Sequence, residues 1–256
     1  MLSYLIKFAK KALLLLLIGM LLMGGKVNAE EKVTVSFVDR PKVVEAWRIR
    51  DCDVVVRIGE FEGKAGKRIY VNSEVLHIPD DIPVRNDGDG KGFYISEYDI
   101  NKKVALKVYD ALKAKGISVK LQEASGKSED LNAAARISNA SNPKLYLSLH
   151  HNYYNSKSSG YFTMYNEGNE AAKNIADRLS NSIINNNQVR YTGNRANTGY
   201  IGELNNIHNS TVGVLMELGF FSNLDELQVI CSDSYTDYVS SHLADEIENV
   251  LNDYWK

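Results

Sequence analysis

The chain has 256 residues, of which 44% are hydrophobic and 24% charged, and its formal net charge is −2. This length favours one principal domain, because it is enough for one well-buried core and short for two large ones. The mildly acidic balance argues against a protein that holds nucleic acid through many phosphate contacts.

The first 29 residues have the pattern of an export signal. Lysines precede an apolar run over residues 12–23, and small residues lie before position 30, where a signal peptidase needs them. The apolar run is short for a bilayer span, so we predict cleavage after Ala29 rather than retention as an anchor. Removing this segment takes away four lysines and no acid, which leaves a formal charge of −6. No permanent membrane span is predicted after cleavage.

Residues 30–67 are predicted to form a small β-rich N-terminal extension. The stretches 33–38 and 53–58 are rich in β-branched residues, and a glycine-containing turn over 59–66 follows them. The simplest role of such an extension is to cover an edge of the main domain. The only two cysteines are Cys52 and Cys231. Their spacing leaves open both a disulfide and two unpaired buried thiols.

From residue 68 to the C-terminus at 256, strand patterns alternate with helix patterns. Strands are predicted at 68–72, 117–121, 144–152, 161–165 and 212–216, and helices at 96–115, 128–137, 172–183 and 235–254. Ser96, with Asp99 three residues later, is typical of a helix N-terminus. The alternation predicts an α/β fold with a mostly parallel twisted sheet and helices on both faces.

Four side chains that could do chemistry come at or near predicted strand ends or at the start of a helix. They are His77, Glu97, His150 and Glu217. The C-terminal ends of parallel strands and the N-termini of the following helices share one edge of a sheet, so these side chains can meet there. Two imidazoles and one carboxylate are a common ligand set for catalytic zinc. A second carboxylate can accept a proton from water, so the set indicates a metal-assisted hydrolase.

Each of these residues also has a simpler interpretation. A lone loop histidine such as His77 is more often structural, and the helix macrodipole favours an acid such as Glu97 at a helix N-terminus. Glu217 follows five apolar residues, where an unpaired carboxylate is costly to bury, so a functional role is favoured there. His208 is assigned to a loop and His242 to a helix surface, with no catalytic role.

The adjacent histidines at 150 and 151 are not equivalent if the strand continues through them. Side chains alternate between the two faces of a strand, so His151 is in phase with the three leucines that precede it, and His150 faces the other way. We therefore expect His150 to be the metal ligand. His151 is expected to pack or to form a hydrogen bond beside it.

Two segments resemble the C-terminal signature motifs of the zinc-dependent N-acetylmuramoyl-L-alanine amidases of the Amidase_3 type. They are Ser-Leu-His-His-Asn at 148–152 and Val-Leu-Met-Glu-Leu-Gly-Phe-Phe-Ser-Asn at 214–223. The resemblance runs from about residue 67 to the C-terminus, and Arg136, Asn139 and the pair at 194–195 are also similar to family positions. The family's usual Asp-x-Gly-His-Gly-Gly segment is replaced by Asn-Ser-Glu-Val-Leu-His-Ile-Pro at 72–79, a form nearer to divergent clostridial members.

The resemblance implies that zinc is bound by His77, Glu97 and His150, with Glu217 as the catalytic acid/base. It implies hydrolysis of the amide between N-acetylmuramic acid and L-alanine in peptidoglycan, by a protein secreted to the cell wall. Two alternatives stay open, since a fold does not fix a function. One is a non-catalytic wall-binding or regulatory protein that retains the fold, and the other is a zinc peptidase or amidohydrolase with another substrate.

Overall fold

The structure is a computed structural model that describes residues 32–37, 40–47, 50–60, 67–72, 76–123, 131–186 and 188–255. It divides the chain into two units, Met1–Ile49 and Arg50–Lys256. The predicted export signal, residues 1–29, lies outside the described residues. Within the described part of the chain, no helix has the length and apolar character needed to cross a membrane.

The first unit contains an antiparallel pair of strands, β1 (Lys32–Phe37) and β2 (Arg40–Trp47). The predicted strand at 33–38 corresponds to β1. The sequence pattern did not predict β2. The register shifts between Val35 and Phe37, as at a β-bulge.

A six-stranded sheet forms the centre of the second unit. Its strands, in the spatial order β10-β9-β11-β8-β3-β7, are β3 (Val54–Ile58), β7 (Val119–Gln122), β8 (Leu145–Asn152), β9 (Phe162–Asn166), β10 (Arg195–Asn197) and β11 (Val212–Phe220). Neighbouring strands are parallel except for the antiparallel pair of β11 and β9. The predicted mostly parallel α/β sheet is confirmed.

Strand β3 lies inside this sheet, between β8 and β7. The sequence pattern places the same segment in an N-terminal extension that ends at residue 67, and here the structure differs. All five β3 residues are buried. Val54 and Val56 pack into one core and Val55 into another, on the opposite face. A strand that is buried on both faces is continuously apolar, so the valine run of β3 is typical of a central strand.

Helices cover both faces of the sheet, as predicted. Those in the described residues are α1 (Glu97–Ala114), α2 (Leu131–Ala140), α3 (Glu170–Ser182), α4 (Gly202–Asn205), α5 (Leu224–Cys231) and α6 (Asp233–Tyr254). The main hydrophobic core lies between one face and α1, α3, α5 and α6. On the other face, Leu204 of α4 packs with Phe162 and Leu215 of the sheet.

Helix α1 begins at the predicted place. Ser96 is its N-cap, and the Ser96 side-chain oxygen accepts a hydrogen bond from the backbone N–H of Asp99 at 3.3 Å. A three-stranded antiparallel sheet of β4 (Arg68–Val71), β6 (Phe93–Ser96) and β5 (Arg85–Asn86) leads directly into this helix. The small sheet therefore fixes the position of the α1 N-terminus, where a candidate site residue lies.

Strand β11 continues beyond Glu217 to Phe220, although the sequence pattern predicts that Glu217 ends the strand. Leu218 and Phe220 are buried, so the apolar pattern resumes after the carboxylate. The pairing of β11 with β8 is shifted between Glu217 and Phe220. Glu217 is therefore a single polar residue within a buried strand.

Both cysteines are buried and free. The sequence left open either a disulfide or two unpaired thiols, and in the structure the two thiols are unpaired. Burial raises the pKa of the Cys52 thiol to about 11 and that of Cys231 to about 12. Both thiols are therefore neutral at ordinary pH and have little thiolate character.

Candidate active site

Three of the four predicted site residues meet at one edge of the sheet. Glu97 is the first residue of α1, His150 is near the end of β8, and Glu217 lies in β11. Strands β8 and β11 are parallel neighbours, and their register pairs His150 with Glu217. The meeting point follows from the rule that strand ends and helix N-termini share one edge of such a sheet.

Glu97 and His150 are in direct contact. Glu97 is fully buried, and its Oε1 lies 3.0 Å from Nδ1 of His150. Although burial alone raises the pKa of Glu97, the hydrogen bond and charge of His150 and the charge of Lys67 hold it below its ordinary value. Oε2 of Glu97 and Nε2 of His150 are buried and have no hydrogen-bond partner. Each residue thus has one polar atom that could bind a further group.

Asn101 connects this pair to its surroundings. Its Nδ2 donates to Oε1 of Glu97 at 3.2 Å and to the carbonyl oxygen of Gly59 at 3.0 Å. Its Oδ1 lies 2.8 Å from Nδ1 of His151. The expected hydrogen bond of His151 beside His150 is thereby confirmed. Burial lowers the pKa of His151 to about 3, so this imidazole is neutral.

A second carboxylate lies on the other side of His150. Oε2 of Glu203, in α4, lies 3.6 Å from Nε2 of His150, and Oε1 lies 3.2 Å from Nε of Arg57. The Tyr146 hydroxyl also donates a hydrogen bond to Glu203. Burial alone would raise the pKa of Glu203. The interactions with His150 and Arg57 outweigh burial and lower the pKa to about 2. Although burial opposes it, Glu203 and Glu97 together raise the pKa of His150 to about 10.

Glu217 differs from both of these carboxylates. Its Oε2 is buried and has no hydrogen-bond partner. Burial raises the pKa of Glu217 to about 7, and the nearby charges of His150 and Lys67 only partly oppose this. A carboxyl group with this pKa exchanges a proton readily near neutral pH.

Lys67 brings a positive charge to the same edge. Its Nζ lies 3.4 Å from Oε2 of Glu97 and 3.5 Å from Oε2 of Glu60. The backbone N–H of Glu97 donates to the carbonyl oxygen of Lys67 at 2.9 Å, which holds the two segments together. Burial lowers the pKa of Lys67, but Glu97, Glu60 and Glu217 raise it above its ordinary value. The ammonium is therefore charged.

The fourth predicted residue, His77, has a different setting from the other three. It lies in the loop between β4 and β5, and its side chain is exposed. Among the residues that the structure describes, no three His, Cys, Asp or Glu side chains are grouped so that they could hold a metal ion. Glu97 and His150 thus suit a metal by their contact and by buried atoms without a hydrogen bond, and no third ligand is grouped with them among the described residues.

Several residues of the site were not predicted, namely Arg57, Glu60, Lys67, Asn101 and Glu203. Arg57 has a sequence signal, because a charged residue within an apolar strand is costly unless it has a partner. Asn101 has another, since a residue four positions after Glu97 lies on the same helix face. The loop residues Glu60 and Lys67 and the short-helix residue Glu203 have no such local signal.

Comparison with solved structures supports the fold. The chain superposes on Cwp6 from Clostridium difficile with a TM-score of 0.62 and 18% identity, over 78% of this chain and 29% of that one. It also superposes on the catalytic domain of CwlV, an N-acetylmuramoyl-L-alanine amidase from Bacillus (Paenibacillus) polymyxa var. colistinus, with a TM-score of 0.60 and 21% identity. That match covers 78% of this chain and 98% of the domain.

Comparison at the level of sequence gives the family. The germination-specific N-acetylmuramoyl-L-alanine amidase of Bacillus subtilis (strain 168) is 28% identical over 176 residues, which are 61% of this chain and 71% of that protein. Residues 85–249 match the family model Amidase_3, described as N-acetylmuramoyl-L-alanine amidase. This match includes Glu97, His150 and Glu217 and more than half of the sequence. The chain therefore belongs to the Amidase_3 family of N-acetylmuramoyl-L-alanine amidases.

Proposed function

We propose that the chain hydrolyses the amide between N-acetylmuramic acid and L-alanine in peptidoglycan. The main support is Glu217, whose pKa of about 7 lies in the range of a group that both accepts and donates protons at neutral pH. It is paired in register with His150, which contacts Glu97. Membership of the amidase family, and a relative named for this reaction, favour this substrate over others.

We infer that the enzyme uses zinc, because Amidase_3 proteins are generally zinc-dependent. Glu97 and His150 are the side chains that would hold the ion, since each has a buried polar atom without a hydrogen bond. When bound, zinc supplies a Lewis acid that polarises the scissile carbonyl and lowers the pKa of water. His77 stays a prediction from sequence as the third ligand.

The role we assign to Glu217 is proton transfer. Its ionised carboxylate takes a proton from the attacking water and then donates it to the nitrogen of the leaving alanine. The amine leaves in neutral form, which makes the breaking of the C–N bond easier. Asn101 positions Glu97 through the hydrogen bond at 3.2 Å.

Export is part of the same proposal. Peptidoglycan lies outside the membrane, so an enzyme acting on it must leave the cytoplasm. The basic and apolar pattern of residues 1–29 would supply the export signal, and the mature protein would act in the cell wall.

The test is digestion of purified peptidoglycan by the mature protein, with release of free N-terminal alanine as the readout. We expect the wild type to generate new alanine amines. Glu217→Gln keeps the size of the side chain but cannot accept a proton, so we expect turnover to fall by about 100-fold or more. The exposed glutamate Glu167 gives a matched control, and Glu167→Gln is expected to keep full activity.

The same assay separates the alternatives. Binding to peptidoglycan without any new amine, in the presence of added zinc, would support a non-catalytic wall-binding protein. New amines that belong to residues other than the lactyl-linked alanine would indicate a peptidase or another amidohydrolase. Equal activity of Glu217→Gln and Glu167→Gln would contradict the assigned role of Glu217.

A further inference from the structure

Glu60 lies directly after β3 and has an unusual backbone conformation. Its φ is 62°, in the left-handed region that residues other than glycine rarely adopt. The preceding residue, Gly59, lies against the imidazole of His150, because a Cβ atom built there would be 2.4 Å from Cδ2 and Nε2 of that ring. Backbone strain of this kind is concentrated at functional sites. The chain thus turns sharply beside the ring of His150.

The carboxylate of Glu60 shares a cation with that of Glu97. Lys67 Nζ lies 3.5 Å from Oε2 of Glu60 and 3.4 Å from Oε2 of Glu97. The Glu60 side chain is 15% exposed and that of Lys67 is 53% exposed. One flexible and accessible ammonium therefore lies between two carboxylates that are far less accessible.

The edge groups several charged side chains around His150. Its four carboxylates belong to Glu60, Glu97, Glu203 and Glu217, and its two permanent cations to Arg57 and Lys67. Arg57 is held by Glu203 inside the protein, with a side chain only 1% exposed. The half-exposed side chain of Lys67 borders solvent. His150 is 8% exposed, and its Nε2 has no hydrogen-bond partner.

We propose that Glu60 completes a divalent-cation site with Glu97 and His150. The proposal rests on the amidase function above, and it gives Glu60 the place that the sequence prediction gives to His77. Carboxylates and imidazole are both ligand types that zinc accepts. The Lys67 ammonium holds the place between the two carboxylates and leaves when the ion binds. Among the described residues these three side chains are not grouped closely enough to hold an ion, so binding requires the two carboxylates to close once the ammonium has left.

The test is the zinc affinity of the full mature chain, measured by competition with a chromophoric chelator. Glu60→Gln removes the charge of a ligand, so we expect zinc affinity to fall by about tenfold or more. Glu167→Gln, at an exposed glutamate, is the matched control, and His77→Ala tests the competing prediction from sequence; both are expected to stay within about twofold of the wild type. Lys67→Met removes the competing ammonium and is expected to raise zinc affinity by about tenfold.

An increase in zinc affinity in Lys67→Met could not be explained by misfolding, since a damaged fold does not bind zinc more tightly. Wild-type affinity in Glu60→Gln, or an equal loss in His77→Ala, would overturn the assignment of Glu60. Unchanged or weaker binding in Lys67→Met would overturn the role of Lys67. These outcomes are independent of wall digestion. Zinc binding that depends on Glu60, without release of alanine, would uphold the site and reject the proposed function.

Discussion

Two groups of charged residues in this protein differ in their exposure to water. The edge cluster consists of Arg57, Glu97, His150 and Glu203, whose side chains are at most 11% exposed. The surface cluster lies between α1 and α6, where Lys107 Nζ is 3.3 Å from Oδ1 of Asp233 and 2.5 Å from Oδ1 of Asp237. In the surface cluster both aspartates are more than 60% exposed.

The two clusters need different explanations. Exposed ion pairs are screened by water and salt and contribute little to stability, so the surface cluster needs no special role. Buried charges lose their hydration, and a protein in which apolar residues replace a buried ion pair is often as stable as the original. The edge cluster therefore points to function, and its carboxylate Glu203 differs widely in pKa from Glu217 beside it. The pKa of Glu203 is about 2, because His150 and Arg57 stabilise its ionised form more than burial destabilises it. The pKa of the neighbouring Glu217 is about 7, because burial is the largest influence on it.

The largest stability effect is expected from breaking the buried pair of Arg57 and Glu203. Arg57→Met leaves the Glu203 carboxylate buried with less compensation, so we expect the free energy of unfolding to fall by about 3–5 kcal/mol. Denaturant unfolding measures this change. Arg136→Met, at an exposed arginine, is the control and is expected to lie within about 0.5 kcal/mol of the wild type.

The double variant Arg57→Met/Glu203→Gln sharpens this prediction. It leaves neither charge buried, so it should be more stable than Arg57→Met alone. Additive losses from the two substitutions would show that the pair is not coupled. The edge cluster would then resemble the surface cluster in energy despite its burial.

The next effect concerns the pH dependence of wall digestion. Glu217 acts as a proton acceptor only when it is ionised, and its raised pKa of about 7 means that protonation begins near neutral pH. We expect kcat/KM to fall as the pH drops below about 7, approaching tenfold per pH unit. Initial rates at fixed zinc, with an unfolding measurement at each pH as the control, give the profile. A rate that stays constant down to about pH 5 would contradict this pKa.

Much of the fold could be predicted because its signals are local. The Ser96 cap, the apolar face of α1 and the alternation in β8 each depend on residues close together in sequence. The positions of Glu97, His150 and Glu217 followed from strand and helix ends, and the structure brings these three together. The different partners of His150 and His151, Glu97 and Asn101, agree with the alternation of side chains along a strand.

The remaining features depend on contacts between distant segments. Nothing within 53–58 indicates that β3 pairs with β8 and β7, because the order of parallel strands is set by tertiary packing. Glu203 reaches His150 from a helix of four residues, and Lys67 reaches Glu97 from the start of a small sheet. Position after a strand suggested His77, but its loop leaves it exposed.

The smallest effect is expected in the surface cluster, at the pair of Lys107 and Asp237. Their side chains are 29% and 66% exposed, so water screens their attraction. A double-mutant cycle with Lys107→Met and Asp237→Asn should give a coupling of about 0.2–1 kcal/mol, which high salt reduces further. The matching cycle at Arg57 and Glu203 should give a larger coupling. Added salt should change that coupling little, because the buried pair is not in contact with the dissolved salt ions. If both cycles gave the same coupling and the same salt response, burial would not be what distinguishes the two clusters.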